Sequence, residues 1–215
     1  MDTLTINKLD ENVQQLAQSD TVMGRLIDYV GNIEIPLRTD YLASLIRSIT
    51  GQQISVAAAS AVFERLNKLT GNTQSGITAV SDEALHNIGL SKRKIQYIRD
   101  LLNHIERKDL DLTKLPELDN DTIIKQLTSV KGIGKWTAEM FLILSLGRMD
   151  VLAIDDIGIQ RGARWLYQVD KSERRDILKK KEPVWSPHLT IASCYLWEVV
   201  HLDLERRFPN IDNVD

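Results

Sequence analysis

Asp155 and Asp156 stand side by side ahead of a helix-periodic run, Ile159, Ala163 and Leu166. An aspartate in that place can cap the helix by accepting from its first N–H groups. A carboxylate can also stabilise positive charge developing on a reacting carbon and orient an attacking water. Residue type alone leaves both roles open to both aspartates, and one of the pair is expected to be the cap. A second chemical group lies upstream in Lys131-Gly132-Ile133-Gly134-Lys135, where two glycines are bracketed by lysines. Gly-Ile-Gly lets the backbone turn tightly where a Cβ could clash. The first N–H groups of the following helix then point outward, and such groups draw phosphate through hydrogen bonds and the helix dipole. Lys131 and Lys135 add charge beside them, and Ile133 at the tip is expected to pack between the two helices and hold the turn shut.

These groups need helices to carry them, and helical periodicity dominates the chain. Leu9, Val13 and Leu16 repeat at helical spacing, as do Leu42, Leu45 and Ile49. Ser55 to Leu69 is alanine-rich, Ser81 opens a short capped helix that stops at Gly89, and Ser91 caps Lys92 to Ile105. Asp119 to Leu127 forms the first arm of the hairpin, and Trp136 opens the second. No Val/Ile/Thr alternation with hairpin turns stands out, so the fold class is all-α. Gly71 to Gly76 and Leu110 to Pro116 read as loops, with no long linker between independent domains.

Bulk properties set the frame. A chain of 215 residues, 43% hydrophobic and 27% charged, can bury one substantial core or two small helical lobes. It has no run of about 18 apolar residues, which argues against a membrane span. The polar start MDTLTINKLDENVQQL lacks the apolar core of a signal peptide. Cys194 is the only cysteine, so no disulfide framework or thiolate cluster is expected, and the four histidines have no metal-ligand spacing. An intracellular, reducing compartment fits. Net charge is −3 and the pI about 5.8, which argues against a grip on nucleic acid by bulk charge. A grip through backbone N–H groups does not need that charge. SKRK, Ser91 to Lys94, and KSERRDILKKK, Lys171 to Lys181, are locally basic, as solvated helix faces also are.

The pattern LxxVxGIGxxTA in LTSVKGIGKWTAEMFLI, together with GQQIS, GLSKRKIQYI and AIDDIGIQRG, resembles the helix-hairpin-helix DNA glycosylases. Among them it is most similar to the alkylbase, or 3-methyladenine, subgroup, over roughly residues 35 to 200. The resemblance implies two packed helical lobes with the active site in the cleft between them. One lobe would be about 35–115; the other would be about 1–34 with 116–215, carrying the hairpin at 123–146. The implied activity is flipping of an alkylated base out of damaged double-stranded DNA and hydrolysis of its N-glycosidic bond, leaving an abasic site.

The superfamily has an apolar residue three positions after its catalytic aspartate. Ile159 fills that place for Asp156, so Asp156 takes the chemistry and Asp155 the cap. The lysine of lyase-competent relatives would stand at Trp136, with Lys135 one residue early, which implies a monofunctional enzyme. Trp136, Met140, Trp197 and Tyr195 are expected to line the base pocket, with Trp165 and Trp185 left to the core. Gln53, beside Gln52, matches the loop that wedges into the minor groove, where some relatives carry leucine. Lys131, Gly132, Ile133, Gly134, Lys135 and Thr137 form the expected phosphate grip. Its carbonyls can take a sodium or potassium ion, as in relatives, and no side-chain metal site or other cofactor is implied. His188 and Leu189 depart from the subgroup, which often has an aromatic residue followed by arginine. The absence of a cysteine cluster excludes the iron–sulfur branch. The implied setting is a monomer, with no membrane partner, in a bacterial cytoplasm with the nucleoid or in a eukaryotic nucleus. A non-catalytic DNA-binding module and a glycosylase for an oxidised or mismatched base remain the alternatives. Asp156, Trp136 and the wedge loop together disfavour the first, and the missing lysine and cysteines argue against the second.

Overall fold

Short polar residues open the helices. Asp20, Asp40, Ser55, Thr73, Ser81, Ser91, Asp119 and Asp156 each accept from backbone N–H groups of the turn that follows. They satisfy donors that have no partner within the helix. The computed structural model describes residues 2–214. The chain begins β1 (Thr3–Ile6), α1 (Glu11–Ser19), α2 (Thr21–Val30) and β2 (Ile33–Pro36). It continues through α3 (Tyr41–Gly51), α4 (Val56–Thr70), α5 (Gln74–Ala79), α6 (Asp82–Asn87) and α7 (Lys92–Glu106). Next come α8 (Asn120–Thr128), α9 (Lys135–Leu144) and α10 (Ile157–Tyr167). The last α-helices are α11 (Arg174–Trp185), α12 (Leu189–His201) and α13 (Leu204–Arg207). None of these helices is long and apolar enough to cross a membrane.

Among the described residues the fold is all-α apart from one antiparallel ribbon that the residue pattern does not reveal. In it β1 pairs with β2, from Thr3 opposite Pro36 to Ile6 opposite Ile33. Each strand has four residues, too few for alternation to stand out, and the partners are joined by α1 and α2 instead of a hairpin turn. The expected loop at Gly71 to Gly76 also gives way, because Thr73 caps a short helix at its middle.

Two compact units share the chain. One is built from its two ends, up to Leu37 and from Leu142 onward; the other is Arg38–Phe141. The hairpin was expected with the chain ends, but α8, the turn and α9 as far as Phe141 lie in the central unit, and the last residues of α9, from Leu142, lie in the other. Residues of α7 and of the loop after α3 hold the turn. Lys131 N–H donates to Asp100 Oδ2 at 2.8 Å, and Gln52 Nε2 donates to the Gly132 carbonyl at 2.7 Å. The central unit packs Leu45, Ile46 and Ile49 of α3 with Leu66 of α4 and Ile98 and Leu101 of α7.

The unit built from the chain ends has Leu16, Met23, Leu26, Trp185, Tyr195 and Leu196 in its core. A buried carboxylate is set into this core. Asp20 is 4% exposed and caps α2 through the Val22 and Met23 N–H groups. It also receives Tyr167 Oη at 2.8 Å, Trp185 Nε1 at 3.0 Å and Lys181 Nζ at 2.8 Å. Lys181 lies over the Tyr167 ring as well, 4.4 Å from its centroid. So one cation of the basic run Lys171 to Lys181 is an internal partner, and Arg175 of the same run pairs with Asp155 at 2.5 Å.

Burial raises the Asp20 pKa, but the donors from Lys181, Trp185 and Tyr167 outweigh it and hold the carboxyl below its ordinary value. A depressed folded-state pKa contributes stability that is present above the unfolded value, near pH 4, and is lost as pH falls through the folded one. Replacing Asp20→Ala should therefore cost about 3 kcal/mol near pH 7, because it strands several buried donors. The difference from wild type should narrow below about pH 4, as followed by urea unfolding across pH. An unchanged difference at pH 3 would count against this account.

Candidate active site

Asp156 precedes α10 and is half-buried. Its Oδ1 accepts two hydrogen bonds, from Ile159 N–H at 2.9 Å and from the Trp197 indole N–H at 2.9 Å. The cap and the candidate catalytic carboxylate are thus one residue. Asp155, expected to be the cap, is half-exposed and pairs with Arg175 on α11. The reason lies in the backbone. Asp156 has the extended φ of −71° and ψ of 124° that aim its side chain back over the first turn. Both donors and the helix N-terminus stabilise negative charge at this oxygen.

Trp197 reaches Asp156 because α10 and α12 approach closely. A Cβ on Gly162 would lie 2.2 Å from the Leu196 carbonyl oxygen, so only glycine lets the two backbones meet there. Trp197 was expected as a wall of the base pocket; its indole N–H makes it the aspartate's hydrogen-bond partner. Tyr195 does not join it. Residues two apart on a helix point to nearly opposite sides, and Tyr195 is fully buried with its hydroxyl donating to the Gly31 carbonyl at 2.8 Å. It is a core residue of its unit, and burial pushes its phenol up to about 12. Trp165 and Trp185 lie in the core as expected, their indole N–H groups donating to Phe208 O and Asp20.

In the central unit, the two hairpin glycines do different work. Gly132 has φ +87°, and a Cβ there would enter the Tyr97 ring at 2.2 to 2.6 Å. Gly134 has nothing within 4 Å of the place a Cβ would occupy, so its bare face is open. Ile133 is buried and closes the turn, and its N–H donates to Val130 O at 3.1 Å. Lys131 is exposed, while Lys135 pairs with the buried Glu139 at 3.4 Å, which weakens the charge it can offer a phosphate. Thr137 departs from its expected place in the grip, since it is buried on the inner side of α9. On that helix Trp136 is 44% exposed and Met140, one turn on, is 9% exposed.

The loop between α3 and α4 holds the two glutamines apart. Gln52 turns inward onto the Gly132 carbonyl. Gln53 is exposed, has the left-handed φ of 59°, and accepts from Arg93 Nη2 at 2.9 Å. Beneath them Lys94 is buried and donates to the Thr50 carbonyl at 2.7 Å. Burial and the neighbouring Arg93 hold its ammonium below the ordinary range. The basic SKRK run is therefore a clamp on this loop as well as a helix face. Ile54 and Val56, beside Gln53, are 42% and 83% exposed.

Several residues of these sites escaped sequence reasoning. Asp100 and Tyr97 support the turn from α7, Arg93 holds Gln53, and Ile157 is an exposed apolar residue next to Asp156. Two of these carried a local signal: Arg93 as part of the basic SKRK run, and Ile157 as an apolar residue where a helix presents its first turn to solvent.

Residues 46–187 match the model of the HhH-GPD superfamily base excision DNA repair proteins. The chain is 32% identical to DNA-3-methyladenine glycosylase 1 of Schizosaccharomyces pombe, over 93% of this chain and 94% of that protein. The crystal structure of a DNA-3-methyladenine glycosidase from Bacillus halodurans superposes with a TM-score of 0.90 at 37% identity, covering 98% of both chains. The S. pombe 3-methyladenine DNA glycosylase in complex with abasic DNA superposes with a TM-score of 0.80 at 30% identity, covering 89% of this chain and 97% of that one. A turn built on Gly132 and Gly134, a glutamine loop clamped beside it and an aspartate held by an indole are thus found in a chain that belongs to the HhH-GPD superfamily of base excision DNA repair proteins.

Proposed function

We propose that the protein is a monofunctional DNA glycosylase of the 3-methyladenine type. It flips an alkylated base from duplex DNA, hydrolyses the N-glycosidic bond and leaves an abasic site that starts base excision repair. The observation that carries this reading is the Asp156 carboxylate, held by Ile159 N–H and the Trp197 indole. Breaking the bond places positive charge on the sugar, and a fixed carboxylate stabilises that charge and orients the attacking water. An alkylated purine is already cationic and leaves without a strong general acid, so one carboxylate can suffice. The exposed Trp136 offers its ring face to such a base. It also stands where lyase-competent relatives have their lysine, in keeping with hydrolysis alone.

Damaged double-stranded DNA is the proposed partner, bound by a monomer inside the cell. The open backbone at Gly134 receives a phosphate, and Gln53 fills the space the flipped base leaves. Carbonyl oxygens of a tight turn are the donor chemistry that sodium or potassium takes, and such an ion on the hairpin would favour the same phosphate. Val130 O and Gly132 O already accept one hydrogen bond each and keep a second lone pair for that purpose.

Asp156→Asn should preserve the fold, because asparagine caps a helix as well as aspartate does. Base release from an alkylated duplex should fall about 100-fold, the equivalent of roughly 3 kcal/mol of electrostatic stabilisation. Near-normal single-turnover release by this variant would overturn the assignment. For the hairpin, Gly134→Val should fold normally and bind all duplex sequences more weakly by a similar factor, since a phosphate grip reads no base. Gly132→Ala should instead lower the melting temperature, through the Tyr97 clash and the positive φ. A loss confined to one sequence context would sink the phosphate reading. For the wedge, Gln53→Ala should slow excision of stably paired lesions more than of mispaired ones, where opening costs least. Equal slowing, with equal loss of affinity for an abasic duplex, would point to a general phosphate contact.

A further inference from the structure

We infer that Gly158 and Trp197 are positioning residues for Asp156, and that position 158 is kept free of a side chain to seat the carboxylate against the indole. This rests on the glycosylase reading of Asp156. Gly158 is the second residue of α10, in ordinary helical backbone that any residue adopts. Glycine is the poorest helix former short of proline, so neither conformation nor propensity explains it. Space does. A Cβ on Gly158 would stand 3.0 Å from Asp156 Oδ1, 3.0 Å from Trp197 Cδ1 and 3.4 Å from Trp197 Nε1. It would press on the oxygen that accepts both hydrogen bonds and on the indole edge that donates one of them.

Gly162 lies one turn further along the same face of α10. There the missing Cβ admits the Leu196 backbone. The pair acts in sequence: Gly162 brings α12 in, and Gly158 leaves room for the indole of the next residue, Trp197, to meet the carboxylate. A methyl group at 158 would shift the carboxylate by a few tenths of an ångström or break one of its two bonds. Its distance from the sugar carbon would change accordingly. Since misplacement of a reacting group by 1 Å can cost roughly 100-fold, the smaller shift should cost about 10-fold.

Stability and function then move in opposite directions, which a structural role would not produce. Single-turnover base release, affinity for an abasic duplex and thermal melting should be measured for wild type, Gly158→Ala, Trp197→Phe, their double variant and Asp156→Asn. Gly158→Ala is expected to melt at or above the wild-type temperature, bind within about twofold and release base about 10-fold more slowly. Trp197→Phe should also slow release about 10-fold. The double variant should be little slower than the worse single variant, because both act through one carboxylate. Wild-type release by Gly158→Ala, with Asp156→Asn inactive, would overturn this inference and leave the glycosylase reading standing. Effects that multiply in the double variant, or a rate loss that tracks a lower melting temperature, would overturn it too. No release by wild type would remove the glycosylase reading and this inference with it; release that ignores Asp156→Asn would leave the activity standing but remove its assignment to Asp156, and this inference with that.

Discussion

The close approach of α10 and α12 is the constraint on which the rest of the site depends. It exists because Gly162 presents no Cβ to the Leu196 carbonyl. With the helices in contact, the indole of Trp197 meets the aspartate that caps α10. Capping supplies one donor from the helix itself, and packing supplies the second from a helix 41 residues away. A carboxylate with both donors on one oxygen has little rotational freedom, and that is what a group aimed at developing charge requires. In the proposed function the helix start thus serves stability and chemistry through the same atoms.

The central unit uses its glycines differently, at the turn proposed to grip the phosphate backbone. At Gly132 the absent side chain makes room for Tyr97, and at Gly134 it leaves the backbone bare toward the open side. Asp100 takes the Lys131 N–H, Gln52 takes the Gly132 carbonyl, and Ile133 fills the turn from within. A grip of this kind relies on oriented backbone groups, so a chain with net charge −3 can still hold DNA. Net charge was a poor guide for a second reason. Some conspicuous cations are occupied inside the protein: Lys181 at Asp20, Lys94 at the Thr50 carbonyl, Arg175 at Asp155.

Much could be read from the residues alone where the physics is local. The helix starts at Ser81 and Ser91 followed from side chains that bond to N–H groups three residues on, and the all-α class followed from apolar spacing at 3 and 4. The hairpin was visible in LTSVKGIGKWTAEMFLI, since a glycine pair between apolar runs is a local break. Asp156 was singled out by its distance from Ile159 once the resemblance was drawn. The three-residue interval it relied on is also the interval of the capping bond, Asp156 Oδ1 to Ile159 N–H.

Tertiary structure decided what depends on partners far along the chain. Gln52 and Gln53 are chemically identical neighbours, yet one meets a carbonyl 80 residues away and the other a guanidinium 40 residues away. Tyr195 and Trp197 look alike as pocket candidates, but α12 turns them to opposite sides, one toward Gly31 and the other toward Asp156. The Asp20 network joins residues up to 165 apart, and the ribbon of β1 and β2 spans two helices. Gly158 and Gly162 show the difference most clearly. A glycine in a helix reads locally only as a weak point, and its purpose becomes visible when the neighbouring helix fills the space it leaves. Local hydrogen bonding and periodicity act over a few residues, so a linear sequence displays them; mutual exclusion of packed atoms has no linear signature.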